Sequence, residues 1–299
     1  MNQSFVFFGS GPVALESLLL LKKSFTIEAV ITKTATQQEM ASACDNIPVF
    51  AVNNNQDLEQ LIKEQSFTSS VGVLIDFGVL VSDHVIASFP KGIVNSHFSL
   101  LPELRGADPI SFAILEGKSE TGVSLMLLVK AMDQGPVLAQ ANCPLTGTET
   151  TPELTEKLIH ISYGLITENL GPYMTGDVTP TDQDQWQQKN SKTISYTRKL
   201  TKEDGLIDWS KTAVQLDREI RAFAQWPKSR TRFDTIEVVV TKAAIIQLSG
   251  TPGQLFIHNK QLAVYCKEQA LVIETLIPAG KKQMDSKAFL AGYTQRLPL

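Results

Sequence analysis

The chain has 299 residues, of which 43% are hydrophobic and 19% charged, enough for one large domain or two ordinary ones and too apolar for a disordered polymer. A net charge of −4 offers no overall pull on a polyanion; three widely spaced cysteines (Cys44, Cys143, Cys266) build no disulfide framework, and four scattered histidines complete no metal-ligand spacing. No basic region precedes an apolar stretch at the N-terminus, and the leucine run Leu18–Leu21, bracketed by Glu16 and Lys22, is far too short to span a bilayer, so a reducing cytoplasm is the expected location.

The front half alternates two textures. Ser4–Phe8 predicts a buried strand; Gly9-Ser10-Gly11 turns the chain, Pro12 suits a first helical position, and Val13–Lys23 follows with helical apolar spacing. Thr26–Thr32 reads as a second strand, Val71–Asp76 and Gly92–Ser96 as further short ones, and Thr121–Val129 as another that precedes Asp133-Gln134-Gly135-Pro136. Thr150–Leu170 has the pattern of a long amphipathic helix, with Thr151 as its cap before Pro152. This alternation predicts an α/β fold with a doubly wound, mostly parallel, Rossmann-like sheet.

From Met174 to Ser195 polar residues dominate, with Trp186 the only large apolar residue before Ile194, which is the texture of a linker. Beyond it Ala213–Phe223 is helical, and Glu237–Thr241, Gly253–Ile257, Gln261–Cys266 and Ala270–Leu276 are short strands at the spacing of a small β-barrel. The expected organisation is a catalytic domain at 1–175, a linker at 176–196 and a second domain at 197–299. Charge divides near the same place. Residues 1–189 carry 10 Lys/Arg against 21 Asp/Glu, a net −11, and residues 190–299 carry 17 against 10, a net +7. An acidic front and a basic back suit two domains with different partners, although a chance imbalance on solvated faces gives the same count.

Gly9-Ser10-Gly11 resembles the opening of a dinucleotide fingerprint. However, Ala14 replaces its third glycine and Thr32 stands where a ribose-binding carboxylate belongs, so a structural tight turn is the better account. Asn95 and His97 carry more information. Two apart at the end of an apolar run, they point to one face of a strand, at the end where open parallel sheets bind ligands. A neutral imidazole and an uncharged amide there can move a proton and hold a developing oxyanion, which is the equipment for acyl chemistry without a covalent nucleophile. Ser99-Leu100-Leu101-Pro102 adds a stiff loop with free backbone groups, and Asp133 a carboxylate from a separate Gly-rich loop. The competing reading is that His97 is a satisfied core histidine.

Val94-Asn95-Ser96-His97-Phe98-Ser99-Leu100-Leu101-Pro102, followed by Arg105-Gly106-Ala107-Asp108-Pro109-Ile110, resembles the signature of the folate-dependent formyltransferases. Glu120-Thr121-Gly122-Val123 and Met132-Asp133-Gln134-Gly135-Pro136-Val137-Leu138 are similar to the next two blocks of that family. Three later blocks, Lys199–Ser210, Ile220–Pro227 and Pro278–Met284, resemble the branch that formylates methionyl-tRNA, so the resemblance covers nearly the whole chain. It implies formyl transfer from 10-formyltetrahydrofolate, as co-substrate and without a metal, to the methionine amine of initiator methionyl-tRNA for translation initiation. Asn95, His97 and Asp133 would be the catalytic set, and Ser99, Leu100, Leu101 and Pro102 the tetrahydrofolate-binding loop. Phe77, Gly78, Val79 and Leu80 would flank the pterin. The C-terminal domain would be an OB-like barrel gripping tRNA, with Arg198, Lys199, Lys202, Lys228, Arg230, Arg232, Lys281 and Lys282 as candidate phosphate contacts. Arg105 would meet an anion, either the glutamate tail of folate or an RNA phosphate, or else form a structural salt bridge with Glu103 or Asp108.

One departure stands out. The familiar bacterial tRNA enzymes carry a long basic loop after the second strand, whereas here the chain runs from Thr32 through Lys33 to Met40 and is already in the next helix. The alternatives are a formyltransferase acting on an amino-sugar nucleotide or a purine precursor, and a non-catalytic RNA-binding relative. A monomer is expected, with no membrane partner.

Overall fold

The computed structural model describes residues 4–190 and 193–298. It divides into two compact units: the second comprises Ile110–Ser119, Leu145–Leu154 and the chain from Arg198 onward, and the first comprises the rest. The front of the chain runs β1 (Ser4–Gly9), α1 (Pro12–Leu21), β2 (Thr26–Lys33), α2 (Gln37–Ala43), β3 (Val49–Val52), α3 (Asn55–Glu64), β4 (Gly72–Ile75), α4 (Asp83–Ala87) and β5 (Ile93–His97). It continues through β6 (Arg105–Gly106), α5 (Pro109–Leu115), β7 (Glu120–Leu127), β8 (Val137–Pro144), α6 (Thr151–Thr175), α7 (Gln183–Asn190) and β9 (Tyr196–Thr197).

The first unit is built on a seven-stranded sheet in the order β3-β2-β1-β4-β5-β7-β8. The five strands from β3 to β5 are parallel, and β7 and β8 close the far edge antiparallel. The expected doubly wound, mostly parallel sheet is therefore present. Strands β1 and β4 sit in its middle, and their near-continuous apolar sequences are buried on both faces, as parallel strands require. Phe8 packs edge-on against Phe77 and Phe89 at 5.7 and 5.8 Å between ring centres.

The turn after β1 is structural. A Cβ on Gly9 would fall 2.6–2.8 Å from Phe7, Ala14 and the carbonyl of Ile75, so only glycine lets α1 lie against the strand ends. Gly11 takes φ 84°. Ser10 knits the turn to its neighbours, donating its N–H to Asp76 O and accepting at Oγ from Lys33 N. After β2 a single helical turn, Thr34–Thr36, leads directly into α2, so the connection is as short as its sequence implies.

The second unit contains α8 (Ala213–Ala222), β10 (Ser229–Phe233), β11 (Ile236–Ile246), β12 (Leu255–His258), β13 (Gln261–Tyr265), β14 (Ala270–Pro278), β15 (Met284–Asp285) and α9 (Ser286–Tyr293). Its strands form an antiparallel sheet in the order β10-β11-β14-β13-β12, with β15 paired to β14. Thr212 and Gln215 form a reciprocal capping box at the start of α8, and Asp285 caps α9. Leu216, Ile220, Leu262, Leu271 and Phe289 are fully or almost fully buried in its core.

Several expectations shift. The interval 176–196, expected as a linker, holds α7 and the first residue of β9, while its Ser191 and Lys192 lie outside the described residues, as do Met1–Gln3 and Leu299 of the expected domains. Helix α6 runs on through Pro172 to Thr175. Its cap differs too: Glu153 reaches back to the N–H and hydroxyl of Thr150, while the Thr151 hydroxyl donates to Ala222 O. Cys44, Cys143 and Cys266 are all buried, and none of them is joined in a disulfide. Among the described residues no helix is long and apolar enough to cross a membrane.

Glu149, in the second unit, carries a stability prediction. Burial alone would raise its carboxyl; hydrogen bonds from the Thr146 N–H and hydroxyl and from the Gly147 N–H outweigh that and lower it to about 2. Because the folded value lies below the unfolded one, its stabilisation is complete above the unfolded carboxylate range and is lost as pH falls through it towards 2. Glu149→Gln is expected to cost about 1–3 kcal/mol at neutral pH, with the deficit vanishing in strong acid. Urea melts at several pH values check this, and a pH-independent deficit contradicts it.

Candidate active site

His97 is the last residue of β5, and Asn95 precedes it by one full pleat, so both side chains leave the same face of the sheet. Both are 7% exposed. The register places Asn95 opposite Met126 and His97 opposite Ser124 on the antiparallel neighbour β7. His97 Nε2 lies 3.0 Å from the carbonyl oxygen of Leu104. A carbonyl only accepts, so the ring must carry its hydrogen on Nε2, and the neutral imidazole then presents a lone pair at Nδ1. Nδ1 faces Asp133 Oδ2 at 3.8 Å, too long for a hydrogen bond and short enough for a carboxylate to stabilise an imidazolium.

The Asp133 carboxylate is held in turn. Its Oδ2 accepts the backbone N–H of Gly106 at 2.7 Å, and its own backbone sits at φ 52°, the left-handed region that aspartate tolerates better than most residues. Gly135 follows in a space that admits no Cβ, which would fall 1.7 Å from Leu127 O. Leu104, at φ 57°, donates its N–H to Ser195 Oγ. Two irregular loops with positive-φ residues thus meet over the end of β5, and they bring Asp133 to His97 across 36 residues of sequence.

The Ser99–Pro102 loop departs from its sequence reading. Its backbone groups are not free: Leu101 N–H donates to Ser124 Oγ, Leu101 O accepts from Gln140 Nε2, Ser99 O accepts from Ser124 Oγ, and Leu100 O accepts from Glu103 N–H. Ser124, fully buried in an apolar strand, is the anchor, and a lone serine in the run Thr121–Val129 was the signal for it. Leu100 and Leu101 are buried apolar surface beside the site. Phe77 is 2% exposed and packed into the core on Phe8, so of the segment 77–80 its ring faces inward, while Leu80 is 79% exposed.

Arg105 is 5% exposed. Its Nε and Nη2 both donate to Gln183 Oε1, at 3.0 and 2.6 Å, and Nη1 donates to the Tyr196 hydroxyl at 3.1 Å. Its guanidinium therefore braces the interior of the first unit. Gln183, Leu104 O and Gly106 N–H were invisible to sequence reasoning. The first lies in a polar stretch without periodicity, and the other two are backbone groups.

In the second unit Lys199, Lys202, Lys228, Arg232, Lys281 and Lys282 are exposed and Arg230 half-buried. Arg198 is exposed and paired with Asp204, whose carboxyl is held below the usual range chiefly by that contact. Arg230 and Arg232 lie two apart on β10 and line a groove of about 560 Å³ with Leu206, Val239 and Ile277.

A doubly wound α/β unit carrying an amide, an imidazole and a carboxylate at one strand end, joined to an antiparallel β unit, is the build of a two-domain group-transfer enzyme. The chain belongs to the formyl transferase family, whose profile matches residues 5–170, while that of the formyl transferase C-terminal domain matches residues 199–294. It is similar to the methionyl-tRNA formyltransferase of Roseiflexus castenholzii, 32% identical over 98% of this chain and 96% of the relative. It is also similar to that of Trichlorobacter lovleyi, 36% identical over 74% and 68%. Among solved structures, HypX from Aquifex aeolicus in complex with tetrahydrofolic acid shares the fold with a TM-score of 0.65 at 17% identity; the match covers 98% of this chain but spans only 48% of HypX. The N-formyltransferase from Helicobacter canadensis, solved with folinic acid and dTDP-3-aminofucose, also gives 0.65 at 17% identity, over 91% and 99%.

Proposed function

We propose that this formyltransferase moves a formyl group from 10-formyltetrahydrofolate to the α-amine of methionine on initiator methionyl-tRNA, with Asn95, His97 and Asp133 as its catalytic set. The observation that carries the reading is the imidazole of His97, fixed by Leu104 O with its lone pair at Nδ1 towards Asp133. As the acceptor nitrogen adds to the formyl carbon, Nδ1 takes the amine proton and the Asp133 carboxylate stabilises the resulting imidazolium. The Asn95 amide donates to the oxyanion of the tetrahedral intermediate. When the bond from the formyl carbon to the folate nitrogen breaks, the proton passes from Nδ1 to that nitrogen, and the carbonyl re-forms on the acceptor. No nucleophile of the protein takes part, and atoms and charge balance. The apolar faces of Leu100 and Leu101 suit the walls of a pterin site, whose polar edges would be read by groups outside the loop's own hydrogen bonds.

The choice of acceptor rests on the methionyl-tRNA formyltransferases to which the chain is similar along nearly its whole length, and on the basic groups of the second unit. The test is direct. Incubated with 10-formyltetrahydrofolate and, separately, charged initiator tRNA or a dTDP-linked amino sugar, the protein is expected to formylate only the tRNA. Formylation of the sugar instead removes this reading and leaves the family intact. The affinity for tRNA is expected to fall linearly with salt on logarithmic axes, and the slope to lose about one unit in Arg232→Ala if that side chain contacts a phosphate.

A further inference from the structure

Gln183 opens α7 in a polar stretch that sequence reasoning leaves as a linker, yet it is 4% exposed and its amide is saturated. Oε1 accepts both hydrogen bonds from Arg105, and Nε2 donates to Asp133 O at 2.8 Å and Gly135 O at 2.9 Å. The orientation is not free to reverse. Arginine offers only donors and the two carbonyls only lone pairs, so the amide oxygen must face Arg105 and the amide nitrogen must face the loop.

These bonds close a ring around the carboxylate. Arg105 reaches Asp133 O through Gln183, while Gly106, the next residue along, donates its N–H directly to Asp133 Oδ2. Left-handed backbone at a non-glycine residue persists only where its surroundings hold it, and here Asp133 is gripped at its carbonyl and at its carboxylate. On the other side of the loop, Gly135 lies so close to Leu127 O that the loop has no slack towards the sheet. Arg105 is itself fixed by Tyr196, whose hydroxyl accepts from Nη1 and whose ring lies 5.8 Å from the guanidinium.

We propose that Gln183 is a positioning residue for formyl transfer: coupled to Arg105, its amide holds the Asp133–Gly135 loop so that the Asp133 carboxylate stays at its distance from His97 Nδ1. This rests on the catalytic set proposed above. It gives a buried glutamine from the C-terminal end of the first unit a role in the chemistry without contact with either substrate. It also gives Arg105 a role inside the protein rather than on an anion.

Two variants test it. Gln183→Ala removes the bridge. Gln183→Glu keeps its size and its pairing with Arg105, so the fold is retained, but places a carboxylate oxygen against two carbonyls. Each is expected to lower kcat at least tenfold, with KM for both substrates within twofold of wild type. Gln183→Ala in an Asp133→Asn background is expected to cost nothing beyond Asp133→Asn alone, whereas a purely structural role multiplies the two losses. An activity-independent readout separates this proposal from the catalytic assignment. The ring nitrogen signals of His97 in NMR spectra are expected to change in Gln183→Glu in the same sense as in Asp133→Asn. Unchanged His97 signals, multiplicative losses, or a wild-type rate in Gln183→Glu while Asp133→Asn is impaired overturn the positioning role; changed signals with a wild-type rate in Asp133→Asn itself remove the catalytic assignment on which it rests.

Discussion

His97→Ala is expected to lower kcat by roughly 100- to 10,000-fold, with little change in KM for either substrate. In the proposed mechanism the imidazole takes the amine proton, and the Leu104 O contact at Nε2 leaves Nδ1 as the nitrogen that would do so. The folding cost is small by comparison: one hydrogen bond to a carbonyl and a modest cavity, about 1–2 kcal/mol. Single-turnover formylation and a thermal melt, measured side by side, separate the two effects. Asp133→Asn is expected to follow in the same direction, since the amide keeps an acceptor for Gly106 N–H but no longer stabilises an imidazolium. Rates near wild type in both variants would show that the proton moves by another route and that His97 is a satisfied core residue.

Asn95→Ala is expected to reduce kcat by about 100- to 1,000-fold. An oxyanion donor acts only once charge has developed on the formyl oxygen, so the loss belongs to kcat and not to binding. Asn95→Asp sharpens the result. It preserves the shape of a side chain that is 7% exposed, but turns a donor towards the oxyanion into a negative charge, so it should be at least as inactive as alanine. If aspartate restores the rate that alanine loses, Asn95 acts through packing and the oxyanion role falls.

These two residues were legible in the sequence for a simple reason. A strand alternates its faces strictly, so Asn95 and His97 two apart must share one, and an apolar run ending in them marks a strand end. The run Ser4–Phe8 was equally plain because a central parallel strand is near-continuously apolar, and Thr26–Thr32 showed itself by its buried stretch Ala29-Val30-Ile31. Other elements gave weaker signals. Strand β8 faces solvent along part of its length, and its Gln140 and Asn142 interrupt any apolar pattern. Three of the four residues of β3 are only partly buried, and α3 is polar on most of its surface around Leu58 and Ile62. Strand β10 alternates Arg230 and Arg232 with Thr231, which reads as a loop until β11 pairs with it.

The sequence by itself determined the alternation of strand and helix, the acidic front and basic back, the Asn-x-His pair and the family resemblance, because each depends on composition or on spacing along the chain. Only the tertiary structure decided what surrounds that pair. Leu104 O and Gly106 N–H are backbone groups that any residue could supply, and Gln183 matters through four hydrogen bonds to partners 48 to 78 residues away. Hydrogen bonds depend on position in space, which a linear pattern does not encode. The bonds that hold the Asp133 loop and the bracing of Arg105 therefore emerge only when β5, β7 and α7 are brought together.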